Sequence, residues 1–93
     1  MAVVMVLEIP GATTEQYDEI NKIMGINGPE DEPAGLISHV CAKTADGLLV
    51  CDVWDSQGEL DDFIAHRVGP AAGQVGAVPS APRLGELYYQ FNR

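Results

Sequence analysis

Two apolar runs, residues 36–43 and 48–55, flank Thr44-Ala45-Asp46-Gly47, and Ser56-Gln57-Gly58-Glu59 follows at once. An Asp-Gly pair between such runs signals a hairpin, because glycine takes the positive φ that tight hairpin turns require. A serine with glutamate three residues later is the start of a capped helix. Residues 35–63 therefore read as strand, turn, strand, helix, and few small folds accommodate that series. The flanks complete it. Residues 2–9 form a nearly continuous apolar and β-branched run closed by Pro10-Gly11, the pattern of a strand buried on both faces. Thr13 with Gln16 has capping-box spacing and opens a helix on which Tyr17, Ile20, Ile23, Met24 and Ile26 recur at roughly helical intervals. Residues 25–35, rich in Gly, Pro and acid, are a loop. Leu60, Phe63, Ile64 and Val68 form one stripe of a second helix. Gly69-Pro70 is expected to break that helix, since proline has no amide for the ladder. Residues 71–75 add a short helical turn, 76–83 a loop, and 84–91 the last strand.

The order β-α-β-β-α-β predicts an α+β, ferredoxin-like domain spanning residues 1–93, a four-stranded antiparallel sheet with two helices on one face. Right-handed crossovers place the first and third strands at its centre. The other sheet face has no cover within the chain, and an exposed apolar face of that size marks an association surface. A homodimer pairing two sheets into a dimeric α+β barrel is the expected solution, with a pocket enclosed between the copies.

Composition narrows the partners. Five Lys and Arg against fourteen Asp and Glu give a net charge of −9. Phosphate recognition needs clustered basic side chains, so nucleic acid and anionic membrane are excluded as partners. Apolar content of 46% argues for a folded core. The N-terminal apolar run has no basic flank and is too short for a leader or a membrane span, which predicts a cytoplasmic protein. Cys41 and Cys51 flank the hairpin; their spacing allows a disulfide, but two cysteines make no disulfide framework, and they read as small buried thiols. Two isolated histidines without matching carboxylate spacing predict no metal site, and His66, beside Arg67, reads as a surface residue. No phosphate-binding glycine loop, Gly-x-Ser-x-Gly elbow or Cys-His nucleophile pattern is present.

Candidate chemistry centres on Asp52, a carboxylate inside the apolar run of residues 48–54. Such a group must be hydrogen-bonded or neutral, which makes it a candidate acid/base or orienting acceptor, or simply a satisfied structural acceptor. Asp52 and Trp54 share a strand face because strand side chains alternate. Two hairpin registers fit. A two-residue turn at Asp46-Gly47 sets His39 opposite Trp54 and Cys41 opposite Asp52. Ile37, His39, Cys41, Lys43, Val50, Asp52 and Trp54 then share a face, against an almost wholly apolar face of Leu36, Val40, Ala42, Leu49, Cys51 and Val53. A three-residue loop with a bulge at Gly47 flips the parity and turns His39 away. The binary pattern favours the first register and places the His39–Asp52 face in the cavity. His39 is then a proton-shuttle candidate with Asp52. Tyr88 is a hydrogen-bond donor candidate on the last strand, beside Gln90 and facing Val4, Val6 and Glu8. Trp54 is a stacking surface for a planar ligand; Val50, Cys41 and Gln90 complete the lining. Each has a plainer reading as a core or interface residue.

The chain resembles the dimeric α+β barrel superfamily, in particular proteins of the antibiotic biosynthesis monooxygenase type. The likeness rests on a strand ending in Ile9-Pro10-Gly11, on Gly35-Leu36-Ile37-Ser38, on the Asp46-Gly47 hairpin, and on Val53-Trp54-Asp55-Ser56 entering a helix that carries Phe63. It implies a homodimer with a pocket in each subunit. Members include cofactor-independent oxygenases of polycyclic phenols, polyketide cyclases, haem-degrading enzymes and proteins without known activity. Trp54 corresponds to a tryptophan lining the oxygenase pocket, whereas the oxygenases' strand asparagine falls at Val50, their strand histidine at Ala42 and their helix tyrosine at Leu60. The same likeness implies the bulged register, and no helix histidine matches a haem ligand. Two functions follow as expectations. One is a small enzyme of secondary metabolism, a cofactor-free oxygenase or cyclase using Asp52, His39 and Tyr88 on an aromatic or polyketide-like substrate. The other is a non-catalytic dimeric protein with a small apolar ligand or a structural role.

Overall fold

A computed structural model describes residues 1–93. Strand β1 (Val3–Pro10) leads into helix α1 (Thr14–Met24); β2 (Leu36–Thr44) and β3 (Gly47–Trp54) form the hairpin; helices α2 (Gln57–Phe63) and α3 (Gly69–Gln74) precede β4 (Arg83–Glu86). The sheet order is β2-β3-β1-β4 and every pairing is antiparallel. The ferredoxin-like order and the central β1–β3 pair expected from the sequence are both present.

Local chemistry explains the helix ends. Thr13 and Gln16 complete a capping box, the Thr13 hydroxyl accepting from the Gln16 amide at 3.1 Å and the Gln16 side chain accepting from the Thr13 amide at 2.9 Å. Gly25, at φ 77°, ends α1 in the left-handed conformation that glycine adopts without strain. At the second helix, Ser56 Oγ accepts from the Glu59 amide at 3.2 Å, while the Glu59 carboxylate takes the Ser56 hydroxyl, so only half of a capping box forms.

Gly69-Pro70 does not break the second helix, contrary to expectation. A π-helical turn (Ile64–Val68) joins α2 to α3, and the Gly69 amide donates to the Ile64 carbonyl five residues back. The wider turn changes the local hydrogen-bond pattern ahead of Pro70, and the helical rod continues. The last strand ends at Glu86, so residues 87–91, expected to continue it, lie outside the strand, although the Leu87 amide still donates to the Ala2 carbonyl at 2.9 Å.

The hairpin register differs from both predicted ones. Thr44 pairs with Gly47, leaving Ala45 and Asp46 as the turn, and His39 lies directly opposite Asp52, Cys41 opposite Val50. Neither turn residue has positive φ, nor does Gly47. Gly47 is needed for a different reason: a Cβ there would run into the carbonyl oxygen of Ile9 on β1. His39 and Asp52 share a face, as the binary pattern indicated. A bulge between Leu36 and Ser38 puts Leu36 opposite Trp54 and turns Ile37 out to solvent, reversing the expected placement of those two residues.

The larger correction concerns which face the helices cover. Met5, Leu7 and Ile9 on β1 and Leu48, Val50, Asp52 and Trp54 on β3 are the buried residues, and they pack with Ile20, Leu60, Ala71 and Ala72 of the helices. The face carrying His39, Asp52 and Trp54 therefore lies beneath the chain's own helices. The helix-free face carries Val4, Val6, Val40, Ala42, Leu49, Cys51 and Val53, all at least partly accessible, with Val40 60% exposed. The expectation that the cavity opens on the uncovered face is overturned. Cys41 and Cys51 are free thiols on opposite sheet faces.

Candidate functional site

Asp52 enters the core because β3 alternates strictly, Leu48, Val50, Asp52 and Trp54 pointing inward. It is 6% exposed, and burial of a carboxylate demands partners. The fold supplies two. Trp54, two residues on along the same face, donates its indole N–H to Asp52 Oδ2 at 3.1 Å. His39, the cross-strand neighbour, brings Nδ1 to 2.6 Å from Asp52 Oδ1. The other ring nitrogen, Nε2, lies 2.6 Å from the hydroxyl of Tyr17 on α1, whose ring runs parallel to the imidazole with centroids 6.2 Å apart. With Nδ1–H donating to Asp52, Nε2 accepts from the Tyr17 hydroxyl. The four groups form one hydrogen-bonded line, Tyr17–His39–Asp52–Trp54.

Electrostatics follow from this line. The hydrogen bond to Asp52 raises the His39 pKa above its ordinary 6.5, against the opposing effect of burial, and Glu32 adds to the rise. Burial, first among several causes, raises the Tyr17 hydroxyl above its usual 10.0, which keeps it a neutral donor near pH 7. Burial likewise raises the Cys41 thiol.

Tyr17, His39 and Asp52 line a cavity of about 70 Å³ between sheet and helices, whose walls are otherwise largely apolar, among them Met5, Ile20, Val50, Leu60 and Phe63. An apolar cavity of about 150 Å³ holds a benzene ring, so this space admits only the edge of one ring. Asn21 and Glu32 stand among the few polar groups of the lining. The π-helical turn contributes Ile64 and Val68, and Arg67 on that turn donates to the Met24 carbonyl at 2.5 Å, tying the second helix to the end of α1.

Of the residues singled out from sequence, Asp52, His39 and Val50 meet at the cavity. Trp54 does not line it; at 1% exposure and 5.3 Å from the Phe63 ring, it has no free face for a planar ligand and instead holds the carboxylate. Cys41 packs at the core's edge, outside the lining. Tyr88 is fully exposed on the C-terminal segment, Gln90 lies on the same segment, and neither lines the cavity of the subunit. Val4, Val6 and Glu8, expected beside Tyr88 in the cavity, lie on the helix-free face. His66 is a surface residue 3.5 Å from Asp62, as expected. Tyr17 is the residue sequence reasoning missed. Its hydroxyl, on an otherwise apolar helix stripe, needed a buried partner, and only the register of β2 shows which. No cluster of three or more His, Cys, Asp or Glu side chains is arranged to hold a metal ion, and no helix is long and apolar enough to cross a membrane.

No protein-family profile and no curated protein matches the sequence. Solved structures do. A single-site variant of SnoaB, a cofactor-independent oxygenase from Streptomyces nogalater, superposes with a TM-score of 0.65 at 11% identity, covering 99% of this chain and 98% of SnoaB. A Chloroflexus aurantiacus protein provisionally assigned as an antibiotic biosynthesis monooxygenase gives 0.62 at 18% identity, covering 97% of each chain. Rv0793 from Mycobacterium tuberculosis gives 0.62 at 15%, covering 99% of this chain and all of the other. At these identities the likeness is one of fold: the chain shares the ferredoxin-like α+β fold of these proteins.

Proposed function

We propose that the protein is a small homodimeric enzyme that deprotonates a phenolic or enolic hydroxyl, serving as a cofactor-independent oxygenase or a cyclase on an aromatic or polyketide-like substrate. The observation that carries the proposal is the Tyr17–His39–Asp52 line ending at an apolar cavity. Both oxygens of Asp52 are engaged, so Asp52 orients His39 rather than meeting the ligand. Nε2 of His39 is the base, and the Tyr17 hydroxyl is the group a ligand oxygen meets or displaces. Removing the hydroxyl proton to Nε2 leaves an enolate whose carbon attacks either dioxygen or a carbonyl of the same molecule. In the first case a ring C–H becomes C–OOH, and loss of water gives the quinone, so phenol and O2 become quinone and H2O. In the second a carbon–carbon bond closes a ring, and the proton returns from His39. The fold likeness to SnoaB supports the oxygenase branch.

The dimer is the second part of the proposal. The helix-free sheet face offers Val4, Val6, Val40, Leu49 and Val53, a patch that a second copy would bury. Exposed Tyr88, Tyr89 and Phe91 follow β4 and stand ready to extend that interface. The pocket then belongs to each subunit, and dimerisation stabilises the sheet that holds it.

Oxygen uptake with a series running from single-ring phenols to anthrone tests the chemistry. Wild-type protein is expected to accelerate uptake, and His39→Gln to lower the rate about 100-fold or more. Unchanged uptake in His39→Gln refutes the base. The small cavity favours a second reading, a non-catalytic binder of a small ring; saturable binding with no turnover across the series selects it.

A further inference from the structure

The cavity beneath the helices is one part of a longer space. Asn21, Ile26, Glu32, Leu36 and His39 line both it and an outer groove of about 540 Å³ between β2 and residues 26–32. The inner part admits only the edge of a ring, so the remainder of any ligand must lie in this groove, whose own polar groups are Asn27 and Ser38.

No Lys or Arg lines either part. Arg67 is committed to the Met24 carbonyl and the Phe63 ring, Arg93 lies over Phe91, Lys22 is exposed on α1, Lys43 borders a separate hollow at the hairpin, and Arg83 lies on β4. An anionic ligand would therefore find no countercharge. Glu32, by contrast, is half-buried at the junction of cavity and groove, and neither ion pair of the chain involves it. A carboxylate in that position, unpaired and facing an open groove, is complementary to an ammonium group.

Resting on the hydroxyl-binding site proposed above, we infer that the ligand is bipartite and cationic: a hydroxylated ring edge at Tyr17 and His39, joined to a protonated amine that pairs with Glu32 in the outer groove. The groove then sets specificity by charge, while the inner cavity sets it by size.

Calorimetric titration with three matched probes tests this: neutral 4-ethylphenol, tyramine, and 3-(4-hydroxyphenyl)propanoate. Tyramine is expected to bind about tenfold tighter than 4-ethylphenol, and the propanoate more weakly than both. Glu32→Gln, an isosteric change at a half-exposed position, should bring tyramine to within about twofold of 4-ethylphenol, the ratio of the two affinities within each variant being the readout. Glu30→Gln, on an exposed neighbouring acid, should keep the tenfold preference and so separates a local pair from the general attraction of a chain with net charge −9. The inference is overturned, with the hydroxyl site intact, if 4-ethylphenol binds but the amine gains nothing. It is also overturned if the preference survives Glu32→Gln or disappears in Glu30→Gln. If none of the three probes binds, the hydroxyl site and the inference fall together.

Discussion

Replacing Asp52 by Asn keeps the shape of the side chain and removes its charge. The two carboxylate oxygens now accept from His39 Nδ1 at 2.6 Å and from the Trp54 indole at 3.1 Å. An amide offers one acceptor and one NH2, so whichever donor meets the NH2 is left unpaired at a site 6% exposed. Loss of a charge-assisted hydrogen bond of this kind costs about 1.5–3 kcal/mol. In a domain of this size, 1 kcal/mol shifts the melting temperature by about 4–8 °C, so Asp52→Asn should lower it by about 6–24 °C. The loss must also depend on pH. In the wild type the folded His39 pKa is raised, chiefly by Asp52, so the linked stability is fully present below about pH 6.5 and is lost as pH climbs through the raised value. Asp52→Asn removes that cause and leaves burial, which acts downward, so the stability gap between the two proteins should narrow as pH rises. Urea unfolding from pH 5 to pH 9, with the His39 ring followed by NMR, measures both quantities. A His39 titration unmoved by Asp52→Asn would refute the reasoning.

Leu60 is 1% exposed at the junction of α2 with the sheet, and Leu60→Ala should cost about 2–5 kcal/mol and enlarge the cavity it borders, seen as a lower urea midpoint at unchanged m-value. Gly47→Ala should destabilise by about 1–3 kcal/mol because the added methyl meets the Ile9 carbonyl, although φ at this position is unremarkable for any residue; thermal melting measures it. Val40→Lys, on the bare sheet face, is expected to shift the mass read by light scattering from twice the 9.9 kDa chain to once, with little change in far-ultraviolet circular dichroism.

The element order was legible because each boundary carries its own chemistry: Thr13 with Gln16, Gly25, Ser56 with Glu59, and the alternation along residues 48–54. The assignment of sheet faces was not. Binary patterning gives the most apolar face to the chain's own helices, yet here the aliphatic face of Val4, Val40, Leu49 and Val53 is bare and the face with His39 and Asp52 is covered. That rule assumes each chain closes its own core, and a face left bare for the second copy proposed above breaks the assumption. Asp52 tolerates burial because Trp54 and His39 satisfy both oxygens, and the His39 contact depends on a cross-strand register that Asp46-Gly47 misdirected. Gly47 serves a close approach to β1 rather than a primed turn, a distinction that lies in tertiary contact. Pro70 misled in the same way, since a π-helical turn upstream takes up its missing amide. Tyr17 belonged to the site unseen, because 22 residues separate it from His39 and only the packing of α1 on β2 joins them.

The central claim is that a ligand hydroxyl meets the Tyr17–His39 end of the hydrogen-bonded line, beneath the subunit's own helices. NMR of the Tyr17 and His39 rings during titration with unlabelled 4-ethylphenol tests it most directly. Saturable shifts at both rings are expected, with Tyr88 and Tyr89 unmoved. Shifts confined to the C-terminal tyrosines or to the bare valine face, with His39 silent at saturation, would contradict it.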